Sequence, residues 1–270
     1  MRFVLSLAVL FLLGSGAWAV EFFEIQSDDK PIHAVLFRPS GDGPFPAIIA
    51  LHDCDGLKGP QGGLRHSVED WGKRLSTSGY LVLFPDSFGS RGLERQCGTN
   101  ALRPDRERIA DLRASRDWLQ QQDFVRKDRI SLLGWANGGV TVLWAVRPNL
   151  EPSDDRPDFR SAAVLYPGCR RLSNTAWSAR VPTLILLGAM DDWAPAKNCE
   201  QMVAGARGRS ARTVVVKYKG AHHFFDHENL ATRQRHGVAF SLDGSGHVTV
   251  GTNQEARADA LKRIPAWFSR

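Results

Sequence analysis

Three short stretches of this chain hold residues that could act on a carbonyl group. Leu132-Leu133-Gly134-Trp135-Ala136-Asn137-Gly138-Gly139 reads as a sharp turn from a buried strand into a helix, the kind of elbow that presents a nucleophile. Such a turn needs small residues two before and two after its strained centre, and Gly134 and Gly138 stand there. The centre itself is Ala136, which has no atom able to attack. Farther on, Leu187-Gly188-Ala189-Met190-Asp191-Asp192-Trp193-Ala194-Pro195 offers Asp191 as an acid, with Asp192 as its rival. Gly220-Ala221-His222-His223-Phe224-Phe225-Asp226 offers His223 as a base, and the adjacent His222 must then point elsewhere. Taken singly, an Asp in a loop is as readily a turn or helix cap, and a lone His a surface residue. Taken together, nucleophile position, acid and histidine fall in the chain order of a hydrolytic triad, each just past an expected strand.

Stabilising a tetrahedral intermediate needs two backbone N–H groups, one from the residue after the nucleophile and one from the loop after an early strand. Asn137 supplies the first, and Cys54, in His52-Asp53-Cys54-Asp55-Gly56, the second. Cys54 as a nucleophile is the weaker reading, since it lies off the elbow and is expected to be oxidised.

The elements that must position these residues follow from apolar patterning. Glu21 to Ile25 and Ile32 to Phe37 read as a strand pair at a sheet edge. Short apolar runs at 47–51, 80–84, 130–133, 162–165, 183–187 and 213–216 have the character of strands covered on both faces. Helices are expected over about 67–78, 104–122, 137–147, 196–206 and 254–267. Alternation of this kind gives an α/β fold with a doubly wound, mostly parallel sheet, whose ligand sites lie beyond the carboxyl ends of the strands. Phe240 to Asn253 reads as a surface turn or small hairpin.

Residues 1–19 read as a signal peptide: Arg2, an apolar run from Phe3 to Leu13, and Ala17-Trp18-Ala19 as the cleavage site. Residues 20–270 then form one domain. The run is too short to span a bilayer, so no stable membrane anchor is expected after cleavage and the mature chain is periplasmic or secreted. Four cysteines in an exported chain suggest two disulfides, and their placement on loops favours Cys54 with Cys97 and Cys169 with Cys199. A net charge of +6, from 35 basic and 29 acidic residues, is scattered along the chain and marks no nucleic-acid surface. The dense stretch from Arg103 to Arg113 fits an amphipathic helix and is assigned no binding role.

With the elbow, the His52 to Gly56 loop, Pro85-Asp86-Ser87-Phe88-Gly89-Ser90-Arg91-Gly92, Tyr166-Pro167-Gly168-Cys169 and the Asp and His loops, the mature chain resembles the dienelactone hydrolase family. The resemblance implies an α/β-hydrolase fold, a triad of Ser or Cys at position 136 with His223 and Asp191, no metal or cofactor, and a small ester or lactone as substrate. It also implies an arginine for a substrate carboxylate, for which Arg91 stands as counterpart. Ala136 closes the acyl-enzyme route and leaves three readings. It replaces a nucleophile in an otherwise active hydrolase; it marks a pocket that binds a ligand without turnover; or His223 and Asp191 act on water directly. A fold used purely as a partner-binding scaffold would show a closed pocket. Substrate identity and oligomeric state are not set by the sequence.

Overall fold

The computed structural model describes residues 19–27, 30–99 and 101–270. Its centre is an eight-stranded sheet built from β1 (Ala19–Ile25), β2 (Ile32–Arg38), β3 (Phe45–Leu51), β4 (Leu81–Pro85), β5 (Val125–Trp135), β6 (Ala162–Leu165), β7 (Thr183–Gly188) and β8 (Thr213–Tyr218), in the order β1-β2-β4-β3-β5-β6-β7-β8. β1 and β2 are antiparallel to their neighbours, and the strands from β4 across to β8 run parallel.

The strands read as nearly unbroken apolar runs because helices cover both faces. Along β3 the side chains alternate. Ala47, Ile49 and Leu51 join a core beneath α2 (Glu107–Gln121), α3 (Ala136–Ala145) and α4 (Ala196–Gly205), while Ile48 and Ala50 join a second core beneath α1 (His66–Thr77) and α5 (Gln254–Phe268). The start of α5 is capped by the Asn253 side chain, which accepts a hydrogen bond from the Ala256 N–H.

The winding decides where a site can form. From β3 the chain moves outward to β4, then crosses back to place β5 on the other side of β3, with Leu51 opposite Gly134. Past the carboxyl ends of that pair the two following loops diverge, which opens a crevice at the switch point. The His52 to Gly56 loop and the Ala136 elbow are the two loops concerned.

Two expectations need correcting. The helix expected from residue 104 begins at Glu107. The stretch from Phe240 to Asn253 enters a small antiparallel pair, as one of its two readings had it, but is not confined to the surface: Val248–Val250 (β10) pairs with Arg233–Arg235 (β9), Val248 and Val250 are buried, and Gly251 N–H donates to the His223 carbonyl at 3.0 Å. It backs the histidine loop. Strands of three residues are too short to show a period, so only the tertiary contact reveals them.

The disulfides Cys54–Cys97 and Cys169–Cys199 are formed, as their placement suggested. Of the expected signal stretch, residues 1–19, the first 18 lie outside the described residues, and Ala19 begins β1. Among the described residues no helix is long and apolar enough to cross a membrane.

Candidate active site

β5 ends at Trp135 and α3 starts at Ala136 with no residue between, so one position must absorb the whole change of direction. Ala136 does so at φ 44°, in the left-handed region that side chains seldom adopt. The flanking glycines are dictated by contact. A Cβ on Gly134 would meet the Gly138 carbonyl oxygen at 2.6 Å, and one on Gly138 would lie 2.0 Å from the Leu51 carbonyl oxygen. The second distance shows how closely the helix start approaches the end of β3, which brings Asn137 beside the loop carrying Cys54.

Asp191 and His223 come together across the sheet top. His223 Nδ1 lies 2.7 Å from Asp191 Oδ2, and both side chains are buried. The other carboxylate oxygen accepts the N–H groups of Trp193 at 2.9 Å and Ala194 at 2.7 Å, which locks the acid in place. With Nδ1–H donated to Asp191, the lone pair of His223 Nε2 is free, and that atom is buried without a hydrogen-bond partner. The ring is held between Tyr166 and Trp193, at centroid distances of 4.4 and 4.6 Å.

The rival residues go elsewhere. Asp192 accepts from Thr249 N–H and hydroxyl and so pins β10, while His222 Nδ1 contacts the Met190 carbonyl oxygen at 3.0 Å.

Ala136, Asn137, Cys54 and His223 line one cleft of about 230 Å³, walled by Trp144, Tyr166, Trp193 and Phe240. The backbone N–H of Cys54 donates to nothing within the described residues, and Asn137 stands in the first turn of α3. The Cys54–Cys97 bridge and a hydrogen bond from Gln96 N–H to the Cys54 carbonyl at 2.7 Å tie that loop down.

The chain matches the description "Dienelactone hydrolase family" over residues 32–270. The chain belongs to the dienelactone hydrolase family. A protein of Escherichia coli strain K12, provisionally assigned as a carboxymethylenebutenolidase, is 24% identical over 237 residues, covering 81% of this chain and 80% of its own. A Bradyrhizobium protein, provisionally assigned as a lactonase for 2-oxo-3-(5-oxofuran-2-ylidene)propanoate, is 24% identical over 234 residues, covering 80% and 88%. The crystal structure of a Klebsiella pneumoniae protein provisionally assigned as a dienelactone hydrolase shares the fold, with a TM-score of 0.71 at 20% identity over 94% of this chain and 99% of that one. A dienelactone hydrolase-like promiscuous phosphotriesterase from metagenomic libraries does so at 0.70 and 15%, covering 94% and 98%. The architecture is the α/β-hydrolase fold, and the chain is of the hydrolase type.

Within this dienelactone hydrolase framework Arg91 departs from its expected place. It forms a two-pronged pair with Asp111, at 2.9 and 2.8 Å, donates to the Ser87 carbonyl, and does not line the cleft. A guanidinium in reach of a buried carboxylate from α2 has a partner already, and this pair braces the loop after β4. The arginines that do line the cleft are Arg170, stacked 4.0 Å over Phe240, and Arg171, which reaches Asp105 at 3.2 Å.

Two buried charged groups beside the site escaped the sequence. Arg108, in the helix assigned no role, is fully buried and donates to Asn137 Oδ1 at 2.6 Å and to the His52 carbonyl at 2.9 Å. Burial lowers its pKa to about 10, so it remains charged at neutral pH. Asp226, three residues past the histidine, accepts from Trp71 Nε1 at 2.7 Å, Trp135 Nε1 at 2.9 Å and the Tyr166 hydroxyl at 2.5 Å. It thereby joins α1, the elbow strand and the loop after β6. Burial, reinforced by the Asp226 charge, pushes the Tyr166 hydroxyl well above the usual tyrosine range and keeps it a donor.

Next to the oxyanion loop, burial and the neighbouring Asp55 charge push the Asp53 carboxyl up to about 7. Asp55 itself is held down by its pair with Arg235, against the effect of its own burial. A carboxyl raised in this way binds its proton more tightly folded than unfolded. Its contribution to stability is complete below the ordinary carboxylate value and is lost as pH rises through about 7. Asp53→Asn keeps an acceptor for the Asp55 N–H, a bond of 2.7 Å in the native chain, and removes the titration. Urea unfolding at a series of pH values from about 4 to 8 is expected to show a flatter profile for the variant across that window. Parallel profiles would place the Asp53 pKa near its unfolded value.

Proposed function

We propose that this chain binds a small carboxylic ester or lactone in the cleft and hydrolyses it with water activated by His223. The carbonyl oxygen sits at the N–H groups of Cys54 and Asn137. His223 Nε2 takes a proton from water as the oxygen attacks the carbonyl carbon, and the oxyanion is held by the two donors. Asp191 keeps Nδ1 protonated and stabilises the imidazolium that forms. The intermediate collapses by breaking the bond to the leaving oxygen, which takes the proton back from Nε2, and carboxylic acid and alcohol depart. In a lactone the two stay joined as a hydroxy acid.

The observation that carries this reading is the buried, unpartnered Nε2 of a histidine fixed by Asp191, in one cleft with Ala136. No hydroxyl or thiol stands at the elbow, so the first proton His223 can take is that of water. Arg170 is the cation such a site would offer to an anionic group on the substrate, in the place expected of Arg91. We further propose export, with which the two disulfides agree.

Ala136 favours a second reading, in which the cleft binds the same class of ligand without turnover. Hydrolysis of 4-nitrophenyl acetate by the native chain and by His223→Ala separates them. Water activation predicts a loss of about 10²-fold or more in the variant, the usual worth of a positioned general base. A native chain no faster than buffer, yet still binding a carbonyl compound in the cleft, would support the binding reading instead.

A further inference from the structure

We infer that the side-chain amide of Asn137 is a third donor to the carbonyl oxygen of the ligand, and that Arg108 is the residue that aims it. The inference rests on the reading above, in which the cleft receives an ester or lactone.

A guanidinium has only donors, so the amide atom 2.6 Å from Arg108 Nη1 must be the oxygen. That contact leaves the two amide hydrogens of Asn137 on the opposite side. Its nitrogen makes no hydrogen bond within the described residues and is not among the buried polar atoms, while the residue lines the cleft. The backbone N–H of the same residue is one of the two expected oxyanion donors, so backbone and side chain of Asn137 serve one place.

Arg108 is suited to holding this orientation rather than to touching substrate. It is fully buried, and its second nitrogen donates to the His52 carbonyl, at the root of the loop that carries Cys54. One rigid planar group therefore spans both segments that carry the expected oxyanion donors. Among the described residues no carboxylate lies in ion-pair contact with it, although Asp111, Asp53 and Asp86 act on it from farther off. Its two terminal nitrogens are committed to the site instead of to a salt bridge, while Nε is buried without a partner. A preorganised donor of this kind acts where charge develops, so it contributes to the transition state more than to ground-state binding.

The test uses 4-nitrophenyl methylphosphonate, a tetrahedral anion, with the native chain, and 4-nitrophenyl acetate with Ala136→Ser, which gives the larger signal. Asn137→Ala is expected to weaken phosphonate binding by at least about tenfold and to lower kcat on the order of 10²-fold, with KM changed by less than about threefold. Asn137→Asp keeps the acceptor for Arg108 and loses the donor, so it should show the same loss of kcat with little change in melting temperature. Arg108→Met should reproduce the kcat loss, with partial recovery in Arg108→Lys, which keeps one donor. Phosphonate affinity and kcat within about threefold of the parent in Asn137→Ala, while His223→Ala abolishes turnover, would overturn the inference and leave the proposed function standing. No phosphonate binding together with no effect of His223→Ala would overturn both. A lower melting temperature with unchanged kcat in Arg108→Met would reduce Arg108 to a structural role.

Discussion

Replacing Ala136 with serine is expected to raise kcat for a short ester by about 10³-fold and to introduce a burst of released alcohol in the first turnover. The physical case rests on the strained elbow and on the His223–Asp191 pair in the same cleft. The elbow already holds residue 136 at φ 44°, so a serine there meets the same backbone strain as the alanine and adds only an oxygen. The free lone pair of His223 Nε2 would accept its proton, and Cys54 and Asn137 line the same cleft. In a serine protease, removing the nucleophile costs on the order of 10⁶ in turnover while binding and the oxyanion hole retain about 10³ to 10⁴ over water. Restoring it in a site shaped around alanine should recover a large part of that difference. Pre-steady-state release of 4-nitrophenol checks the burst. A folded Ala136→Ser protein with neither burst nor gain would mean that His223 does not reach the elbow, and the acyl-enzyme geometry would be absent from this chain.

The largest loss of stability is expected at Asp226. Its carboxylate is wholly buried and takes three hydrogen bonds from Trp71, Trp135 and Tyr166, while its backbone carbonyl accepts one from Arg257. Asp226→Ala strands three buried donors at once, each costing about 1–3 kcal/mol, so the domain should lose ~3–9 kcal/mol and its melting temperature should drop by roughly 10 °C or more. Asp226→Asn should fall between, because the amide keeps one acceptor and turns a donor toward another donor. Calorimetry of the three proteins gives the ranking, and equal melting temperatures for native and alanine forms would show that the network contributes nothing net. The loss should reach the site as well, since Trp135 precedes the elbow and Tyr166 packs against His223.

What could be read from the chain and what could not divides along physical lines. The elbow was legible because its demands are local: a strand, a strained centre and glycines where a Cβ has no room, all within one short stretch. Asp191 and His223 were legible because each lies immediately past a strand, where a parallel sheet collects its loops. Asp192 and His222 stood beside them with equal chemical claims. Only the register of the loops sent one carboxylate to the histidine and the other to Thr249.

Arg91 was misplaced for the same reason. Its loop was recognisable, but its partner Asp111 lies farther along the chain on α2, and no local pattern announces a pair formed between a loop and the buried side of a helix. Arg108 escaped because a charged residue in a charged helix looks solvated until the packing of α2 shows it fully enclosed. Asp226 escaped because its partners come from residues 71, 135 and 166, far apart in sequence.

By itself, then, the sequence determined the α/β order of elements, the elbow with its alanine and the acid and histidine loops. These follow from short-range sterics and from the alternation that burial imposes on strands and helices. The tertiary structure alone decided which of two neighbouring residues enters the histidine–carboxylate pair, where each arginine finds its acceptor and how Asn137 is turned. Those choices depend on distances between segments remote in the chain, which are set only when the sheet has closed its register and the helices have packed upon it.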